Sequence, residues 1–235
     1  MDSKIGHPWN VTLEEARELQ SHLSRQIKET VLPSTIRQVA GFDVSYLKER
    51  NLIIAGMAIL GYPSLDLIDQ FLLTDRIPFP YIPGYLSFRE APVLLKLIRQ
   101  NCDLADIYVF DGHGIAHPRG LGIASHIGVM VQKPSIGCAK KKLIGQYDEP
   151  MMTKGAISPL IYQDRIVGNV VRTKNNVKPV YISIGNRISL KDATEFILTC
   201  TNKYRIPEPT RQAHICVTNY RKKLLSNSSD DVKCN

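Results

Sequence analysis

The chain has 235 residues, 43% of them hydrophobic, and a formal charge of +8 from 30 Lys+Arg against 22 Asp+Glu. That supplies the core of one domain, and the positive balance favours a polyanionic partner without identifying it. The five cysteines are scattered, odd in number and without C-x-x-C spacing, no apolar run approaches a membrane span, and residues 1–7 are no signal peptide; neither a disulfide framework nor a zinc site is suggested, and a soluble cytoplasmic protein without a membrane span is expected.

Thr12-Leu13-Glu14-Glu15 is a capping-box pattern, and Leu13, Ala16, Leu19, Leu23 and Ile27 follow at helical spacing. These predict a helix over residues 13–30. Strand-like runs at 36–46, 52–60 and 65–73 are separated by short polar or Gly/Pro breaks, as in an antiparallel meander. Pro78, Pro80 and Pro83 make 78–84 a rigid loop. A helix is expected to open at Glu90 and reach residue 101, followed by a buried strand at 107–110, a Gly-rich stretch, a helix over 121–131 and a strand at 135–139. Residues 165–173 and 180–184 read as a strand pair, Ser189 caps a helix to residue 204, and a last helix covers 208–225. Residues 1–225 are expected to form a single domain, with 226–235 a polar, disordered tail. The class is α/β: a mixed β-sheet flanked by helices, and its order of elements resembles the ribonuclease-H-like nuclease fold.

Three carboxylates stand out. Asp43, Glu90 and Asp111 each end a strand-like apolar run. Carboxylates held at a sheet margin can converge on a hard divalent cation, which takes oxygen ligands and leaves room for a phosphate. Any one such residue is ordinarily a turn or a cap; three in a basic chain point to metal-dependent chemistry on a nucleic-acid backbone.

Six fragments occur in order: Phe42-Asp43-Val44-Ser45, Pro80-Tyr81-Ile82-Pro83-Gly84, Phe88-Arg89-Glu90, the stretch from Asp111 to Arg119, Ala124-Ser125-His126, and Gly137-Cys138-Ala139-Lys140. Together they closely resemble endonuclease V, the deoxyinosine-directed repair nuclease family, over residues 10–225. The resemblance implies an Mg²⁺-dependent endonuclease, with Mn²⁺ as a substitute. It would hydrolyse the second phosphodiester bond 3′ to deoxyinosine, leaving 3′-hydroxyl and 5′-phosphate ends. Inosine-directed cleavage of RNA is the alternative, and a monomer is expected.

The same resemblance assigns roles. Asp43, Glu90 and Asp111 match the metal ligands, Lys140 the active-site lysine that stabilises charge at the phosphate, and His214 the histidine that orients or deprotonates the attacking water. Lys141 and Lys142 read as solvated lysines that attract phosphate without sequence preference. Tyr81, Ile82 and Pro83 match a wedge that enters the base stack as a nucleotide is flipped out. Gly84, Leu86 and Gly112, with Gly122 a further candidate, match positions around the flipped base; turn geometry alone also accounts for the glycines. Arg89 and Arg119 are candidate phosphate contacts, or partners that keep the carboxylates ionised. His117 and His126 are expected to order the glycine-rich loop by hydrogen bonds. One departure stands at Asn186, where the family commonly has histidine. Asparagine is no acid or base near neutrality, so any role of that histidine is in doubt here, and Asn186→His is expected to retain activity.

Overall fold

The computed structural model describes residues 6–101 and 104–230. Cys102, Cys234, the first five residues and positions 231–235 of the expected tail lie outside them. Helix α1 (Leu13–Ser24) begins with the capping box in place: Glu15 N donates to the Thr12 hydroxyl and Thr12 N to the Glu15 carboxylate. It stops six residues before the expected end. Beyond it the backbone is bonded elsewhere, with Lys28 N donating to Asn186 Oδ1 (2.9 Å), Leu32 N to Asp192 Oδ2 (2.9 Å) and Arg187 N to Lys28 O (2.6 Å). A helix would need those groups for itself.

Strands β1 (Gln38–Leu47), β2 (Leu52–Gly61) and β3 (Leu67–Arg76) form the antiparallel meander. Helix α2 (Leu86–Gln100), β4 (Ile107–Phe110), α3 (Ile123–Val131), β5 (Ser135–Ala139), β6 (Ile157–Tyr162), β7 (Arg165–Val171), β8 (Val180–Asn186), α4 (Leu190–Thr199) and α5 (Glu208–Asp230) follow. The eight strands lie in the order β3-β2-β1-β4-β5-β8-β7-β6. β4 runs parallel to β1 and to β5, and the other neighbours are antiparallel. This is the mixed, helix-flanked sheet of a ribonuclease-H-like fold.

Alternation along β1 decides what each helix covers. Ala40 and Phe42 point into a core built with Leu94 and Leu97 of α2 and Ile123 and Ile127 of α3. Val39 points the other way, into a core with Ala193, Phe196 and Ile197 of α4 and Ala213 of α5. Gly41 shares that second face, and a Cβ there would lie 2.0 Å from the Pro209 carbonyl carbon. Its bare backbone lets the first turn of α5 rest directly on the strand.

Four differences from expectation stand out. β6 was not among the expected strands; it is an outer strand of the sheet, where Pro159, lacking an N–H, is tolerated. α4 ends at Thr199, not at residue 204, and α5 continues past residue 225 to Asp230. α2 starts at Leu86, so Glu90 is the fifth residue of a helix and not a strand end, and Pro92 lies inside it. No described helix is long and apolar enough to cross a membrane.

Candidate active site

β4 pairs with β1 only as far as Phe42↔Phe110. Asp43 is therefore the first β1 residue without a β4 neighbour, and Asp111 the first residue after β4. Asp43 is not at the end of its own strand, as the sequence implied; β1 runs on to Leu47 beside β2. The notch left where β4 stops is where the carboxylates gather.

Each carboxylate has a partner. His214, one turn along α5 from the contact at Gly41, places Nδ1 2.7 Å from Asp43 Oδ2. Lys140, directly after β5, pairs its ammonium with Asp111 Oδ2. From the opposite face of the sheet, Tyr46 donates its hydroxyl to Glu90 Oε1 at 2.7 Å. Tyr46 went unnoticed in the sequence: three residues from Asp43 in a strand puts it on the other face, and only the packing of α2 brings it to Glu90.

The electrostatics are those of crowded like charge. Burial pushes the Glu90 carboxyl up to about 8, with Asp43 and Asp111 adding to the rise and the Tyr46 hydrogen bond opposing it. Asp43 is also raised, by burial and by Asp111, against the pull of His214 and Lys140. Among the described residues no three such side chains are drawn together tightly enough to grip an ion as they stand. The donor set is nonetheless all oxygen, and its mutual repulsion is what a hard divalent cation relieves. The chemistry of this donor set suits a hard cation such as Mg²⁺.

A cavity of about 190 Å³ opens beside this cluster. Tyr81, Ile82, Pro83, Gly84 and Leu86 line one side, and His113, Gly122 and Ile123 the other. Leu86 lies four residues before Glu90 on α2, hence on the same helix face, and His113 lies two residues after Asp111. Tyr81 is 71% exposed at the rim. Gly112 does not line the cavity; it packs against Ile123, whose Cγ2 a Cβ would approach to 2.6 Å.

The loop carrying Tyr81 is braced at both ends. Gly84, at φ +80°, has its carbonyl held by Gln20 Nε2 (3.0 Å), His117 Nε2 (3.0 Å) and Arg119 Nη2 (2.6 Å). Arg119 also lies 4.4 Å over the Tyr85 ring. Arg89 donates to Phe79 O at 2.6 Å and lies 4.7 Å over the Tyr46 ring. Both arginines, expected at phosphate or carboxylate, donate to carbonyls of this loop, and Arg119 Nε also donates to Gln20 Oε1. Arg89 still lowers the Glu90 carboxyl by its charge.

His126, His113 and His117 are held by hydrogen bonds within the fold. His126 is fully buried between Ser87 Oγ (3.0 Å) and His7 Nε2 (2.7 Å), and His113 Nε2 bonds Lys141 O. Burial lowers His117 to about 4 and His126 to about 3, so both stay neutral. Asn186 is also fully buried. Its Oδ1 accepts from Lys28 N and its Nδ2 donates to Gly128 O, both at 2.9 Å. It joins three segments at the start of β5, where it pairs with Ser135.

Comparison with known proteins agrees with this geometry. The family model described as Endonuclease V matches residues 18–215. Endonuclease V of a Roseiflexus species is 44% identical over 213 residues, covering 91% of this chain and 95% of the relative. The crystal structure of endonuclease V from Streptomyces avermitilis superposes with a TM-score of 0.87 at 37% identity, covering 94% of this chain and 98% of that one. Endonuclease V of Ciona intestinalis, crystallised with a 24mer DNA containing an inosine followed by a ribo-adenosine, has a TM-score of 0.79 at 27% identity, covering 90% and 98%.

Proposed function

The chain belongs to the endonuclease V family, and from that premise we propose that it cuts inosine-containing DNA at the second phosphodiester bond 3′ to the lesion, in repair of deaminated adenine. One observation carries the reading. A cavity suited to a planar base, rimmed by an exposed tyrosine on a rigid loop, opens within one helical turn of Glu90 and two residues of Asp111. A cavity of about 150 Å³ takes a benzene ring, so this one suits a flipped heterocycle. Unstacking costs a few kcal/mol and least for a poorly paired base, which favours lesions.

Asp43, Glu90 and Asp111 would hold Mg²⁺, or Mn²⁺ in its place. When bound, the ion neutralises charge building on the phosphoryl oxygens. The chain's own groups do the rest. With Nδ1–H directed at Asp43, the His214 imidazole presents Nε2 as an acceptor for a proton of the attacking water. The Lys140 ammonium faces the phosphate and stabilises negative charge as the bond breaks. Tyr46 keeps Glu90 turned toward Asp43 and favours its ionised form. Tyr81 fills the gap left by the flipped base while Arg89 and Arg119 hold its loop stiff.

Buried, unpaired Cys138 and Cys200 suit the reducing cytoplasm. A second reading, cleavage of inosine in RNA, is favoured by the ribo-adenosine beside the inosine in the Ciona complex. The test is a side-by-side digestion of 5′-labelled inosine DNA, its adenosine control and the matched inosine RNA, each with Mg²⁺ and with chelator. Mg²⁺-dependent nicking of the inosine DNA two bonds 3′ to the lesion is expected; preference for RNA moves the assignment to the second reading, and no inosine preference overturns both.

A further inference from the structure

Lys141, Lys142 and Lys178 have no part in the site described so far. Together with Lys140, Arg205 and Glu149 they line a cleft of about 480 Å³. Five of those six side chains are cationic. Like charges gathered in a concavity repel one another, and a polyanion relieves that repulsion.

The cleft's walls are held by a set of hydrogen bonds. Arg205 Nη2 donates to Lys140 O (2.8 Å) and Pro179 O (2.7 Å), tying the segment after β5 to the segment before β8. Arg172 is 1% exposed. Its guanidinium donates to Glu149 Oε1 and Pro150 O, both at 2.7 Å, and to Met151 O and Val177 O. The loops carrying Glu149 and Lys178 are thereby fixed against each other. The hydroxyls of Tyr147 and Tyr181, 2.9 Å apart, add neutral hydrogen-bonding groups to the wall.

Position gives the cleft its meaning. The short loop after β5 serves two cavities: Leu143 lines the base cavity, and Lys140, Lys141 and Lys142 line the cleft. Lys140 is also paired with Asp111. A strand with its flipped base in the first cavity and its scissile phosphate at Asp111 and Lys140 is thus led onward into the cleft. We propose that the cleft binds the phosphates of the cleaved strand on the 3′ side of the cut, so that the enzyme grips the arm beyond the scissile bond. The 3′ direction rests on the function proposed above.

The experiment uses the full chain and the triple variant K141Q/K142Q/K178Q, none of whose altered side chains belongs to the catalytic set. Substrates are inosine duplexes whose lesion strand extends either about three or about fifteen nucleotides past the lesion, with the 5′ arm constant. With the long arm, three lost phosphate contacts reduce the slope of log K against log salt by about 2.1–2.7. Between ~50 and ~200 mM salt the wild type should therefore lose about 20- to 40-fold more affinity than the variant. On the short arm, the two proteins should bind and nick alike. Glu149→Gln keeps an acceptor for Arg172 and removes the cleft's one negative charge, so it should bind the long arm more tightly than wild type. Equal salt slopes for wild type and variant on the long arm would overturn the proposal. So would an equal loss on both arms, which would place the lysines on the duplex in general. If the wild type nicks the inosine duplex no better than its adenosine control, the proposed function fails and this inference with it; if it nicks selectively while the arm length has no effect, only the cleft assignment fails.

Discussion

Tyr46→Phe removes one oxygen atom and tests how Glu90 is kept ready for a cation. The phenol donates at 2.7 Å to a carboxylate that burial, with Asp43 and Asp111, already pushes up to about 8. A hydrogen bond to a charged group contributes about 1.5–3 kcal/mol. At about 1.4 kcal/mol per pH unit, its loss raises the Glu90 carboxyl by a further one to two units. At pH 7 the ionised fraction falls by about 10- to 100-fold, and because a ligand must be deprotonated to take the metal, the Mg²⁺ needed for half-maximal rate rises by the same factor. The assay is single-turnover nicking of an inosine duplex across pH 6 to 9 and a range of Mg²⁺. Tyr46→Phe should be slow at neutral pH and recover toward the wild-type rate at high pH and high Mg²⁺. An unchanged Mg²⁺ requirement and pH profile would refute the coupling, and a loss that neither pH nor Mg²⁺ restores would mean Tyr46 acts on the substrate.

Other perturbations separate the parts of the account. Tyr81→Ala should weaken binding to an inosine duplex by about 1–3 kcal/mol and affect a single strand less, measured by fluorescence anisotropy; equal losses would make Tyr81 a packing residue. Asn186→Ala removes two buried hydrogen bonds and should cost about 2–4 kcal/mol of stability in chemical denaturation. The fully buried site also revises the expectation for Asn186→His, which must fit a larger ring beside Gly128 and should lower stability; an unchanged midpoint for either variant would show the latch to be dispensable. His117 and His126 have folded pKa values near 4 and near 3, below the unfolded value near 6.5, so the unfolded chain binds more protons between those limits. Their contribution is complete above pH 6.5 and is lost as pH falls, by about 1.4 kcal/mol per unit for each histidine. Glu90 works in the opposite sense below pH 8, so the scan of unfolding temperature is best made on Glu90→Gln in chelator; a flat profile from pH 6.5 to 4.5 would contradict the burial argument.

What was legible in the sequence follows from which interactions are local. Residues 107–110 and 135–139 are short apolar runs bounded by polar or Gly-rich chain, and both became strands with the bounds read for them. The capping box at Thr12 and the Ser189 cap are hydrogen bonds within one turn, so they too could be read directly. The end of α1 could not: its backbone groups are claimed by Asn186 and Asp192, some 160 residues away. The three carboxylates could be picked out from the chain, but Glu90 reaches the notch from a helix rather than a strand end, and its partner Tyr46 depends on how α2 crosses the sheet. Arg89 and Arg119 illustrate the same limit. Charge suggested phosphate contact or support of the carboxylates, and Arg89 does lower the Glu90 carboxyl; their bonds to Phe79 O and Gly84 O follow from where the proline-rich loop lies in space.

The central claim is that Asp43, Glu90 and Asp111 act as one cation site for strand cleavage, distinct from the groups that bind the strand. It is tested most directly with Asp111→Ala, by measuring single-turnover nicking and binding on the same inosine duplex in Mg²⁺. The account predicts nicking reduced at least ~100-fold, because a lost ligand misplaces a Lewis acid worth several kcal/mol, with binding largely kept by the phosphate contacts. Near-wild-type nicking by Asp111→Ala in Mg²⁺ would contradict it.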